Sequence, residues 1–191
     1  MDHGFYALVS RMKNINRWAL MRNSFTENVQ EHSHMTAVLA HALAVIARDV
    51  YGKEADPDRC AAAALLHDAP EIITGDMPTP VKYYSSEITS AYKSVEDIAA
   101  NRLISALPEE MRRSYEELLS PEGDVKRYVK AADKLSAYIK CVEELKAGNE
   151  EFRRAAEQSL IKLKNMEMPE VDYFLNNFMP AFMLTLDEIN F

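Results

Sequence analysis

Apolar residues recur along this chain at intervals of three and four, the spacing that lines one face of a helix. Phe5, Leu8, Val9, Met12 and Ile15 make the first such run. A second starts near Asn28 and stops before Gly52, with Met35, Val38, Leu39, Ala42, Leu43, Ile46 and Val50 as its expected buried stripe. A third starts after Pro57 and stops before Gly75. Its segment AAAALL (61–66) is apolar on every side and predicts a buried helix. Further helices are expected over about 86–106, 109–119, 125–147, 150–166 and 170–188. The isolated glycines and most prolines fall between these runs, where helices stop and start. Pro70 lies inside or at the end of the third run and should bend it. Pro78 and Pro80 make the segment GDMPTPVK a rigid loop. No alternating strand pattern, repeat or linker interrupts this order, so residues 1–191 are read as one all-α domain.

Composition narrows the classes that such a domain can belong to. At 191 residues and 48% hydrophobic, the chain can bury a core without disulfide or metal staples. It has only five glycines, and all stand alone, which excludes the Gly-rich phosphate loops of dinucleotide and triphosphate binders. The formal charge of −8 argues against a broad basic surface for nucleic acid. No stretch of about 18 apolar residues is present, so no membrane span is expected. The first residues lack the cationic-then-apolar order of a signal peptide. Cys60 and Cys141 sit in apolar helical stretches and are expected as reduced core thiols of a cytoplasmic protein.

Three places break the apolar pattern with groups that carry chemistry. His67 and Asp68 follow AAAALL directly, and a buried carboxylate is costly unless it is paired or holds a metal. On a continuous helix, Glu71 would share their side, within a sector of roughly 100°. The plain alternative is a helix that surfaces there and leaves these groups in water. His32 falls inside the stripe of the second helix, whereas His34 and His41 fall off its edge. A single histidine on such a face is otherwise a satisfied core residue. Asp133 lies just beyond the buried face formed by Tyr128, Val129, Ala132, Leu135, Ser136 and Ile139, so it either leans inward or flanks that face in solvent. Two imidazoles and two carboxylates on three helices suit a borderline first-row divalent ion. All five histidines lie within the first 67 residues, so later helices offer none for a second ion.

The order His…His-Asp…Asp resembles the HD-domain metal-dependent phosphohydrolases, an all-α superfamily. INRWALMRN (15–23), ENVQEHS (27–33), LLHDAPEIITGDMPTPVKYY (65–84) and KAADKLSAYIKCVEELKAGNEEF (130–152) are similar to the bacterial 5′-deoxynucleotidases within it. The resemblance runs over about residues 5–190. It implies a helical bundle with a metal site between helices, and hydrolysis of deoxyribonucleoside 5′-monophosphates by in-line attack of an activated water. His32, His67, Asp68 and Asp133 match the ligands of one divalent ion per chain, with cobalt or manganese expected. Arg17 and Trp18 match the substrate-contacting pair, and the arginine orients the phosphate. Glu71 matches the catalytic carboxylate, as acid or base. Asp76, Met77, Pro78 and Thr79 match the loop against the nucleoside. His32, Asp68 and Asp133 are also expected to border the substrate.

A homodimer is implied by the same resemblance. Trp18 is expected to crowd the 2′ position, whereas Lys82 is read as a solvated loop lysine. Two other readings compete: a small (p)ppGpp hydrolase, whose HDxxED pattern the sequence matches at Glu71 but not at Ile72, and a non-catalytic helical binding domain.

Overall fold

The computed structural model describes residues 3–189. Its helices are α1 (Phe5–Val9), α2 (Val29–Val45), α3 (Pro57–Leu66), α4 (Glu71–Thr74), α5 (Thr79–Lys82), α6 (Ser86–Ser105), α7 (Glu109–Leu119), α8 (Gly123–Lys146), α9 (Arg153–Lys164) and α10 (Pro169–Asn177). A tight 3₁₀ segment extends α1 to Asn14, and a wider π turn extends α2 to Val50. Among the described residues the only extended pairing is a single antiparallel bridge between Asn16 and Asn28.

Helix starts follow their caps. Asn28 and Glu31 form a reciprocal capping box, which satisfies two orphan backbone donors and fixes where α2 begins. Asp56 accepts from Arg59 N, and Pro57 occupies the first turn of α3. Pro70 does more than bend the third helix. It has no N–H to give, and its ring would meet the carbonyl of Leu66, so α3 ends there. Residues 67–70 form a tight turn closed by Ala69 N→Leu66 O (3.0 Å) and Glu71 N→Asp68 O (3.0 Å), and α4 starts afresh at Glu71.

α2, α3 and α8 pack together at the centre. Small residues (Ala40, Ala44, Ala63, Ala64, Ala131, Ala132) let the three backbones approach, and Leu39, Leu43 and Leu135 fill the remaining space. Because α2 is covered by two helices, its buried arc is wider than the expected stripe and is turned away from part of it. Ser33, Thr36 and Ala37 are buried, whereas Val38 is 51% and Val50 49% exposed. AAAALL likewise leaves one side uncovered, since Leu65 is 48% exposed. The buried face expected for α8 is found as read, and both cysteines are buried and free.

Two further clusters surround this centre. Phe5, Met12, Val29, Ala69 and Leu103 join α1, α6 and the turn after α3. Cys141, Phe152 and Ala156 form a third cluster, against which Trp18 and Met21 lean. The segment between α1 and α2 is fastened by a buried ion pair of α8. Lys140 binds Glu144 and donates to Phe25 O (2.6 Å), while Glu144 accepts from Ser24 N (2.9 Å) and Asn149 Nδ2 (2.8 Å). Burial alone would raise the Glu144 carboxyl, but these donors outweigh it and hold it down to about 2.

Lys140→Met should therefore destabilise the fold by about 3–5 kcal/mol in denaturant titrations, because it strands a buried carboxylate. A carboxyl held below its unfolded value near 4.5 adds stability that is complete above that pH and lost as the pH falls toward 2. Glu144→Gln should flatten this part of the acid-unfolding curve.

Candidate functional site

The meeting point of α2, α3 and α8 is where the polar residues gather. His32 enters one turn into α2, fully buried. His67 and Asp68 come from the tight turn after α3, and Asp133 leans in from α8. The continuous-helix geometry expected for His67, Asp68 and Glu71 does not hold, because Pro70 breaks the helix between them. The turn nevertheless aims all three at one place.

His32, His67 and Asp68 each offer a ligand atom within 4.8 Å of the others. Asp133 Oδ1 lies 3.2 Å from His32 Nε2 and 4.0 Å from His67 Nε2. The outer nitrogens are fixed from behind. His67 Nδ1 contacts Ala64 O at 2.7 Å, and a carbonyl only accepts, so this nitrogen carries the proton. In the neutral ring His67 Nε2 is then the lone pair. It is buried, has no hydrogen-bond partner and faces Asp68 Oδ2 at 3.1 Å. Two electron-rich atoms at that distance repel unless a proton or a metal cation lies between them. His32 Nδ1 meets Ser136 Oγ at 3.1 Å, which turns its Nε2 toward the same point. Imidazoles oriented by outer hydrogen bonds, with hard oxygens beside them, are the donor set of a divalent transition ion, and these residues fit one.

Charge in the site follows from burial and neighbours. Burial pulls His67 down, but Asp68 and Asp133 outweigh it and raise the ring above its ordinary value. Burial opposes ionisation of Asp68, yet His67, His32 and Arg17 hold it well below the carboxylate range. Burial likewise opposes ionisation of Asp133, but the His32 hydrogen bond brings it down to about 2. Glu71 is the opposite case. Burial, then the Asp68 and Asp76 charges, push it up to about 9, and its Oε2 is buried without a partner. A bound cation would oppose that rise.

A cavity of about 860 Å³ opens beside this cluster, a size suited to a small organic ligand. Arg17, Trp18, Asp68, Glu71, Asp133 and the whole run Asp76–Thr79 line it, whereas His32 and His67 sit behind its wall. Arg17 is no surface arginine: its side chain is 12% exposed and donates to Asp68 Oδ2 (3.1 Å) and Glu27 Oε2 (3.2 Å). Gly75, at φ +73°, takes a left-handed turn that an L side chain would strain, and so directs Asp76 into the cavity. Lys82 departs from its expected solvated state. It is half-buried, bonded to Glu96 (2.7 Å) and lies over the Tyr92 ring.

Against this geometry, a sequence profile described as 5′-deoxynucleotidase YfbR-like matches residues 4–182. A 5′-deoxynucleotidase of Cronobacter sakazakii is 49% identical over 97% of this chain and 95% of its own. The 5′-deoxynucleotidase YfbR of Escherichia coli K12 is 47% identical over 97% and 95%. The chain belongs to the YfbR-like 5′-deoxynucleotidase family. Among solved structures, an HD-domain phosphohydrolase of Listeria innocua superposes on this YfbR-like chain with TM-score 0.82 at 25% identity, covering 96% of this chain and 90% of that one. A cyanophage S-2L HD phosphohydrolase, bound to dA and one catalytic Zn²⁺, shares the fold at TM-score 0.65 and 21% identity, covering 94% and 96%.

Three features of this YfbR-like site escape a reading by motif. Glu27, inside ENVQEHS, binds both Arg17 and Trp18. Ser136 was readable only as part of a buried face, although its spacing of three from Asp133 places it one turn on. Gln158, Ser159 and Lys162 bring α9 to the cavity's far wall, a contact between distant segments for which local sequence has no signal.

Divalent cobalt, manganese or zinc at a hundredfold its Kd should stabilise chelator-treated protein by about 2.7 kcal/mol in thermal melts. His67→Ala should remove that gain while the fold persists in far-UV circular dichroism.

Proposed function

We propose that the protein is a metal-dependent 5′-deoxynucleotidase, which hydrolyses deoxyribonucleoside 5′-monophosphates to the deoxynucleoside and phosphate. The observation that carries this reading is a guanidinium and a His–Asp cluster converging on one cavity, joined by the Arg17–Asp68 bond. His32, His67, Asp68 and Asp133 hold one divalent ion per chain, cobalt or manganese. Such an ion supplies Lewis acidity toward a phosphoryl oxygen and lowers the pKa of water.

The protein's own groups do the rest. Arg17 offers five N–H donors in a planar fork, two of them engaged by Glu27 and Asp68, so three are free for phosphoryl oxygens. It orients the phosphate so that water attacks in line with the leaving 5′-oxygen. Glu71, buried beside the His–Asp cluster and lining the cavity, serves as the general acid or base for that displacement. Asp76 accepts from the sugar 3′-hydroxyl, Met77, Pro78 and Thr79 flank the nucleoside, and Trp18 crowds the 2′ position. No covalent intermediate is required.

Two broader parts of the reading have their own support. The family resemblance implies a homodimer, for which exposed apolar side chains such as Val38, Leu65, Val95 and Ile98 are available, and sedimentation would measure it. No described helix is long and apolar enough to cross a membrane, and two free buried thiols suit the cytoplasm.

A panel of dAMP, TMP, dGTP, AMP and ppGpp with added cobalt or manganese tests the substrate. Phosphate release from dAMP and TMP in preference to the others is expected; cleavage of ppGpp alone, with pyrophosphate released, would replace this reading with a (p)ppGpp hydrolase. Glu71→Gln should lower kcat by about 10²- to 10⁴-fold with metal content unchanged. Trp18→Ala should lower the preference for dAMP over AMP.

A further inference from the structure

Trp18 is the only tryptophan of the chain, and its backbone is in the left-handed region, φ 59°. That conformation is strained for a bulky side chain and persists only where surroundings enforce it. Four contacts do so here. Met21 N and Asn23 Nδ2 donate to Trp18 O at 2.9 and 3.3 Å. The indole tilts against Phe152 with ring centres 5.3 Å apart. Its single polar atom, Nε1, donates to Glu27 Oε2 at 3.0 Å.

The same oxygen of Glu27 takes the Nε–H of Arg17 at 3.2 Å, and the backbone carbonyl of Glu27 takes Arg17 N at 2.9 Å. Residues 17 and 18 are thus both tied to residue 27 by side chain, and residue 17 also by main chain. The Glu27 side chain is only 15% exposed, so its charge is little screened by water and its hydrogen bonds are charge-assisted. On the other side Arg17 is held by Asp68. Two anchors on different edges of a planar guanidinium fix its plane.

We propose that Glu27 is a positioning residue that locks Arg17 and Trp18 into one unit through a single carboxylate oxygen. The orientation of the phosphate-side cation and the placement of the sugar-side wall are then set together. Resting on the functional reading above, this makes Glu27 a determinant of deoxyribose selectivity, although Glu27 itself does not line the cavity.

The test compares wild type with Glu27→Ala, Glu27→Gln and Glu27→Met. Two quantities are read: the ratio of kcat/KM for dAMP over AMP, and the fluorescence emission of Trp18, which needs no substrate or metal. Loss of the acceptor in Glu27→Ala or Glu27→Met should move Trp18 emission to longer wavelength and lower the dAMP:AMP ratio. It should also cut kcat/KM for dAMP about ten- to a hundredfold, the range of a charge-assisted hydrogen bond. Glu27→Gln keeps an acceptor oxygen in the same place and should recover most of both effects. A folded Glu27→Ala or Glu27→Met with wild-type emission and wild-type ratio overturns the proposal. So does a Glu27→Gln as impaired as Glu27→Ala, which would assign the effect to charge alone. If neither acceptor-less variant folds, Glu27 is a folding residue and the proposal falls. If the wild type cleaves neither nucleotide, the functional reading fails instead, and the emission shift still decides whether Glu27 places Trp18.

Discussion

An imidazole lone pair pressed against a carboxylate in a buried pocket is the constraint around which this molecule is arranged. His67 Nε2 and Asp68 Oδ2 stand 3.1 Å apart, and neither can turn away, because Ala64 O grips the ring and Arg17 grips the carboxylate. Only positive charge relieves that contact. The nearby positive features answer it: the raised His67 and the neighbouring Arg17. The three central helices supply small side chains at their crossings, so the polar groups sit at a close junction open to the cavity on one side.

Much of this was legible beforehand. The helical order needed only periodicity and stop signals, and α7 was read to the residue. His32 stood out because it replaces an apolar residue on a buried face. Asp133 stood out less, because a residue at the edge of a face can lean either way; its bond to His32 settles the direction. The family pattern singles out Arg17, Trp18 and the loop 76–79, which residue type alone does not, and the structure brings them to one cavity.

The misreadings share one origin: local pattern says how a helix is coloured but not how many neighbours cover it. Val38 and Leu65 are exposed because α2 and α3 each leave one side uncovered, and Thr36 is buried because α2 is covered twice. Sequence makes Lys82 a loop lysine because Glu96, its partner, lies on the next helix. Glu27 was invisible for the same reason. Its partners precede it by nine and ten residues across an irregular segment, where no period relates them.

The clamp of Lys140 and Glu144 on the segment before α2 has a kinetic side. The bonds from Phe25, Ser24 and Arg22 run to residues 115 to 127 positions later in the chain. Closing loops of that length is slow relative to forming the helices themselves. During folding, α2 and α3 can meet early, since they are adjacent in sequence. The stretch that carries Arg17 and Trp18 has to wait for α8 to dock. Asp133 and Ser136 of the His–Asp junction ride on that same helix, so the docking of α8 completes the junction and orders the cavity rim together, and a chain interrupted before residue 140 would keep the hallmark His-Asp pair yet lack the clamp on the rim.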